Sequence, residues 1–296
     1  MPSRRSAIRE VHFHNPRLHK VGVDVLTLGE LRIRGGSALL STPRRVDFHH
    51  LLLVEAGSSR HVVDFVEHEL APGSVLMVRP GQVQQWREGK GSEGKLVLIS
   101  SEALSPTVTR ASVDMRLLAL PDWPTVSKPR HDVFTEAVAD LSRLSADIRC
   151  FEGTDIETSI IRHELVTLLL RLARALRSAP AGRETTREAE VYALFVRELE
   201  TRITKRLNVL DYAKRLGFSA STLSRACFAA AGHTAKEEID RRIALEAKRL
   251  LVHSQETAAG IGHQLGFTEP TNFVKFFRRL VGCTPLQFRQ RQMSTS

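Results

Sequence analysis

Cysteine is scarce in this chain. The three in 296 residues, Cys150, Cys227 and Cys283, stand far apart with no CxxC pair, which excludes a disulfide framework; they are expected to be reduced, buried and structural. Long apolar runs are also missing. The longest, such as residues 51–54 and residues 166–170 broken by Thr167, fall far short of the ~20 residues that a membrane span needs. The opening Met-Pro-Ser-Arg-Arg is basic but has no apolar core behind it, so no secretory signal is expected and a cytoplasmic location follows. There is no Gly-x-Ser-x-Gly elbow, no HExxH and no phosphate-binding glycine loop. Nucleophilic, zinc-peptidase and nucleotide chemistries therefore have no foothold, and no catalytic residue or cofactor is expected.

Acidic charge is short in one region above all. Residues 201–296 carry 16 basic and 7 acidic side chains, whereas the whole chain carries 43 and 33. Almost the entire excess of +10 thus lies in the last third, which points to a polyanionic partner for that part.

What is present divides the chain in two. Between residues 22 and 99 short stretches such as Val23-Asp24-Val25-Leu26-Thr27-Leu28, His61-Val62-Val63-Asp64-Phe65 and Ser74-Val75-Leu76-Met77-Val78 alternate with turn signals. These include Gly35-Gly36, Gly57, Pro72-Gly73 and Pro80-Gly81. This pattern predicts a β-sandwich or barrel. After Pro124 the period becomes helical, over residues 132–144 and again over residues 156–176. There Ile161, Leu165, Leu168, Leu169, Leu172 and Leu176 form one apolar stripe, to be covered either by the β-domain or by a second copy of the chain. Residues 177–186, with Pro180 and Gly182, read as a linker, and everything beyond has helical periodicity.

The strongest signal is an internal repeat. Leu216-Gly217-Phe218-Ser219, then Leu223-Ser224-Arg225, then Gly232-His233-Thr234 is echoed by Leu265-Gly266-Phe267-Thr268, Phe273-Val274-Lys275 and Gly282-Cys283-Thr284. The offset grows by one residue within the turn. Each copy reads as a helix-turn-helix: a helix closed by a left-handed glycine, a turn, and a second helix capped by Ser219 or Thr268. The outer face of that second helix offers Ser221, Thr222, Ser224 and Arg225 in one copy. In the other it offers Thr271, Asn272, Lys275 and Arg278. These types donate hydrogen bonds to base edges or phosphates in a major groove. The segment from Thr234-Ala-Lys-Glu237 onward starts with a capping-box pattern. It predicts a connecting helix of about sixteen residues, roughly 24 Å long, able to hold two reading heads as a rigid pair. Arg241, Arg242, Lys248, Arg249, Arg278 and Arg279 are expected either on phosphates or in solvent.

Residues 210–219 with 223–225, and residues 266–279 with 282–289, resemble the double helix-turn-helix module of the AraC/XylS transcription regulators. The match spans about residues 187–291. The resemblance implies that Ser221, Ser224, Arg225, Thr271, Asn272 and Lys275 lie on two recognition helices. The chain departs from the family pattern at Gly260 and Gly262, each costing about 1 kcal/mol of helix propensity relative to alanine, and at Cys227, where phenylalanine is usual. Residues 48–57, 61–64, 70–73 and 79–86 resemble the cupin-like sensor domain of the same family. Phe48, His50, Leu52 and Trp86 are candidate lining residues for a small ligand enclosed by such a barrel. His49 and His50 could begin a metal set, but Gln84 stands where a histidine commonly follows, so no metal is expected.

The expectation is an α+β two-domain protein: an N-terminal cupin-like β-barrel with following helices, then a C-terminal all-α double helix-turn-helix. The boundaries expected are an arm at 1–20, a sensor at 21–125, a helical and dimerising segment at 126–178, a linker at 179–187 and a DNA-binding domain at 188–292. His12 and His14 of the arm are expected in solvent. The function expected is a sequence-specific, effector-responsive transcription activator. Its partners would be double-stranded promoter DNA, a small-molecule effector, RNA polymerase and a second copy of itself, without a membrane. The rival readings are a ligand-independent DNA-binding regulator and a cupin-type metalloenzyme with a DNA-binding module.

Overall fold

The computed structural model of the chain describes residues 9–87, 91–104, 118, 120, 123–176 and 187–294, with the backbone alone at 9, 35–41 and 293–294. Two compact units emerge, Arg9–Ala181 and Gly182–Ser296. The linker expected at 179–187 lies, apart from Arg187, outside the described residues.

Among the described residues the first unit holds ten strands in two five-stranded sheets. One orders β1 (Arg9–Val11), β3 (Arg44–Val46), β8 (Val83–Arg87), β5 (Ser59–Val63) and β6 (Val66–Leu70). The other orders β10 (Val126–Ser127), β7 (Val75–Val78), β4 (His49–Ala56), β9 (Glu93–Ile99) and β2 (Val23–Thr27). All pairs are antiparallel except β1 with β3. No ladder joins the two sheets among the described residues, so the observed architecture is a pair of sheets rather than one closed ladder. Two helices, α2 (His131–Cys150) and α3 (Asp155–Leu176), follow in sequence.

The layering explains the run of apolar residues in β4. Leu51 and Leu53 pack with Val75, Met77, Val97 and Ile99 against α2 and α3. The intervening Leu52 and Val54 join Val46, Val63, Leu70 and Leu96 in the core between the sheets. A strand covered on both faces needs no polar alternation. The α3 stripe expected at Ile161, Leu165, Leu168, Leu169 and Leu172 is fully buried in the helix-facing core, with Leu176 packed at its edge. Of the two covers left open by the sequence, the unit's own interior is the one found.

Five local expectations need correction. Gly35 and Gly36 do not make a turn; they lie inside α1 (Leu28–Ser41), which starts with a Thr27/Glu30 capping box. The strand expected through Phe65 stops at Val63, because Asp64 and Phe65 both adopt positive φ and form the two-residue hairpin turn that closes β5 on β6. The helix expected over 132–144 runs six residues further, to Cys150, which is exposed rather than buried. His12 is exposed but not solely in solvent: its Nδ1 lies 2.6 Å from the Asp47 carboxylate, beyond β1, which pairs with β3.

The second unit is all helix: α4 (Arg187–Arg202), a 3-10 turn at Ile203–Lys205, α5 (Val209–Leu216), α6 (Ala220–Ala231), α7 (Ala235–His253), α8 (Ala258–Gln264), α9 (Pro270–Val281) and α10 (Pro285–Ser294). Among the described residues no helix is long and apolar enough to cross a membrane.

Candidate nucleic-acid interface

The repeat folds as two helix-turn-helix units, α5 with α6 and α8 with α9. In the first, Asn208 and Asp211 form a reciprocal capping box on α5. Gly217 ends that helix at φ 71°, and Ser219 caps α6 by accepting from the Thr222 amide at 3.1 Å. In the second, Thr257 caps α8 through the Gly260 amide at 3.0 Å, and Gly266 takes the left-handed position at φ 81°. The cap expected at Thr268 is not there. The extra turn residue moves the N-cap of α9 to Glu269, which makes no side-chain cap bond, and Pro270 opens the helix instead.

The two second helices turn equivalent faces inward. Leu223, Ala226 and Cys227 of α6 are buried, as are Phe273, Phe276 and Phe277 of α9, fifty residues on. Cys227 therefore takes the core position that Phe277 holds in the other copy, and burial pushes its thiol up to about 12. Phe228 beside it stays 66% exposed, at the position where α9 carries Arg278. A single apolar core, from Val191 and Phe195 through Leu223 and Ile243 to Phe273 and Phe277, runs through both units. The connecting helix α7 is nineteen residues long, not sixteen, about 28 Å at 1.5 Å per residue.

The outward faces hold the side chains expected there. Ser221 and Arg225 are exposed, with Thr222 and Ser224 half-buried; Thr271, Asn272, Lys275 and Arg278 are all exposed. Ser219, Ser221 and Thr222 form a hydroxyl cluster at the start of α6, with oxygen separations of 2.9 and 2.8 Å. Arg225, Lys275 and Arg278 make no ion pair within the described residues, which leaves their charge available to a phosphate.

The flanking cations divide. Arg249 is buried and bonds Glu246 at 3.2 Å. Arg242 bonds Glu200 at 2.7 Å and lies 3.5 Å from Glu238. Both are structural and are removed from the phosphate set. Arg241 reaches the His233 ring at 3.2 Å, and Lys248 sits 5.8 Å from the Phe288 ring centroid. Arg279 pairs with Asp240 at 2.9 Å yet remains on the surface.

The four residues expected to line a ligand space are gathered in the first unit. Phe48, His50 and Leu52 are buried in the inter-sheet core, and Trp86 packs against it. What the sequence did not disclose is their connection. Phe48 stacks on His50 with centroids 4.8 Å apart. The Gln84 amide nitrogen donates to His50 Nδ1 at 3.1 Å, while its oxygen accepts from His61 Nε2 at 2.9 Å. His61 in turn meets the Trp86 ring edge-on at 4.4 Å. Burial holds His50 down to about 3 and His61 to about 4, so both rings are neutral. Gln84, which stands where a metal-binding histidine was sought, is thus the polar link of a neutral network. Among the described residues no cluster of three or more His, Cys, Asp or Glu is placed to hold a metal.

A profile of the helix-turn-helix domain family matches residues 212–291, which span both units from α5 to α10. Along the wider chain, the HTH-type transcriptional activator RhaS of Escherichia fergusonii is 26% identical over 252 residues. RhaS of Klebsiella pneumoniae is 24% identical over 250. Each alignment covers 82% of this chain and 86% of the relative. These matches support an AraC/XylS-type regulator. The chain is a DNA-binding transcription regulator, and the matches are regulators rather than enzymes. Among solved structures, ToxT from Vibrio cholerae covers 90% of this chain and 97% of its own at 12% identity, with a TM-score of 0.41. The segment matched by the helix-turn-helix model contains both second helices, Ala220–Ala231 and Pro270–Val281.

Proposed function

We propose that this AraC/XylS regulator reads promoter DNA with Ser221, Thr222, Ser224 and Arg225 of α6 and Thr271, Asn272, Lys275 and Arg278 of α9, each helix entering a major-groove segment. One observation carries the reading: two helices that share a single apolar core both turn hydroxyl and unpaired cationic side chains outward, and α9 adds the Asn272 amide. In titrations of duplex fragments selected from genomic DNA, affinity falls with rising salt. The double variant Arg225→Ala/Lys275→Ala lowers the slope of log K against log salt by about 1.8, at about 0.9 for each phosphate no longer neutralised; where a side chain meets a base instead, the variant weakens the preferred fragment selectively. Affinity indifferent to salt, or a double variant that behaves as wild type in both slope and preference, overturns the assignment.

The first unit is read as a cupin-like sensor. Its two facing sheets enclose Phe48, His50, Leu52 and Trp86 around the neutral Gln84 network, a mostly apolar site with a few polar groups suited to a small uncharged effector. The relatives are named as activators, and activation through RNA polymerase is the outcome proposed for this chain, in the cytoplasm. Dimerisation is assigned to the outer face of α3, where Ile156 and Ile160 remain exposed opposite the buried stripe.

A further inference from the structure

Beside the outward face of α9 lies a cleft of about 550 Å³ that the reading of the recognition helices uses only at its rim. Four of its walls are cations, Arg206, Lys236, Lys275 and Arg279, over a floor made by Phe267 and Phe276. One carboxylate answers them: Asp240 bonds Lys236 at 2.9 Å and Arg279 at 2.9 Å. The cleft therefore carries a surplus of three positive charges, and Lys236 and Arg279 keep 67% and 61% of their side-chain surface in solvent.

Arg206 is the most telling of the four. Its guanidinium carbon lies over the Phe267 ring, 3.5 Å from the centroid, a cation–π contact that holds the group in place. None of its N–H groups meets an acceptor among the described residues. The residue is exposed overall; partial desolvation lowers its pKa, and the Asp240 charge works the other way. Its backbone is left-handed, at φ 45°, a conformation uncommon outside glycine. Gly266 makes room for that bend. A Cβ at Gly266 would come within 2.8 Å of Arg206 Cβ and 3.2 Å of the Thr204 carbonyl oxygen. A guanidinium held over a ring, with its donors free and its backbone strained to put it there, is prepared for a planar or tetrahedral oxyanion. Lys236 adds to this, since a cation in the first turn of α7 opposes the helix dipole and is only half answered by Asp240.

Asn272 and Lys275, already placed on the reading face of α9, form the rim of the same cleft. We propose that the cleft is a phosphodiester seat, in which Arg206, Lys236 and Arg279 clamp a DNA backbone phosphate flanking the groove segment that α9 enters. This rests on the DNA-reading role proposed above. The seat fixes the register of α9 on the duplex and carries no base preference of its own. The same chemistry would accept a free phosphorylated small molecule, which the experiment separates.

The test uses the full chain and fluorescence anisotropy on two unrelated duplexes across a salt series, with a thermal melt to verify folding. Arg206→Ala lowers the salt slope by about 0.9, the value for one phosphate, equally on both duplexes. Lys236→Gln does the same should the Arg206 variant fail to fold. Lys205→Ala, an exposed cation on the same turn outside the cleft, leaves the slope at its wild-type value. The cleft proposal alone is overturned if the wild type shows its steep salt slope while Arg206→Ala and Lys236→Gln match Lys205→Ala. A wild type without salt dependence sinks the DNA reading itself. In a parallel arm, inorganic phosphate at millimolar concentration is titrated into the wild type at constant ionic strength. If phosphate raises the melting temperature of the wild type but not of Arg206→Ala, and the DNA slope is the same in both, the seat serves a free anion and the DNA assignment is wrong.

Discussion

At the scale of single residues, the two glycines of α8 look alike in sequence and differ in consequence. A Cβ added at Gly260 meets chiefly the free end of the Glu256 side chain, at 2.8 Å, and a flexible carboxylate in solvent can move. At Gly262 the added Cβ meets Phe273 Cβ at 2.9 Å and its ring at 3.0 Å, inside a core where Phe273 is fully buried. Gly260→Ala is therefore expected to stabilise the second unit by up to about 1 kcal/mol, the helix-propensity gain. Gly262→Ala is expected to destabilise it, because overpacking costs roughly 1–3 kcal/mol and outweighs that gain. Denaturant melts of the two variants check the opposite signs; a Gly262→Ala as stable as Gly260→Ala refutes the close approach of α8 to α9. The propensity cost of both glycines was legible in the sequence. The reason one of them is required was not, since it depends on a ring eleven residues away.

At the scale of elements, capping separates the two helix-turn-helix units. The first opens on a reciprocal box, Asn208 with Asp211. The second has only the single Thr257 bond on α8 and no side-chain cap on α9. Backbone amides of α8 should accordingly exchange with solvent before those of α5 in native-state hydrogen exchange; the reverse order would contradict it. Local chemistry made the repeat visible from sequence, because a left-handed glycine, a cap and an inward apolar triad recur at fixed spacing. The same kind of signal was available for α1 in Thr27-Leu-Gly-Glu30, a capping-box pattern, but the Gly35-Gly36 pair that follows argued for a turn. The runs in β4 and β7 hid which layer each side chain faces, since a strand covered on both sides loses the period of two. The place of Gln84 between His50 and His61 depends on β5–β8 pairing and on how the two sheets face each other, which no local pattern encodes.

At the scale of the whole molecule, buried histidines make the first unit sensitive to acid. His49 and His61 are held near 4 and His50 near 3, in each case mainly by burial. In the unfolded chain each takes up a proton near pH 6.5. Below that pH the unfolded state binds more protons than the folded one, so stability falls as pH drops from about 6.5 towards 4. Calorimetry of the full chain should show the melting temperature of this unit declining through that window, each histidine contributing on the order of a few kcal/mol. A flat profile between pH 7 and 4 would mean that these rings are hydrated.

The second helices of the two units are copies in tandem along one chain, and their outward faces differ residue by residue, with a hydroxyl cluster and Arg225 on one and Asn272, Lys275 and Arg278 on the other. A symmetric dimer mirrors itself in a palindrome; a tandem pair does not. In the proposed reading, a single chain's target on DNA therefore has a polarity, and a site turned end for end becomes a different site.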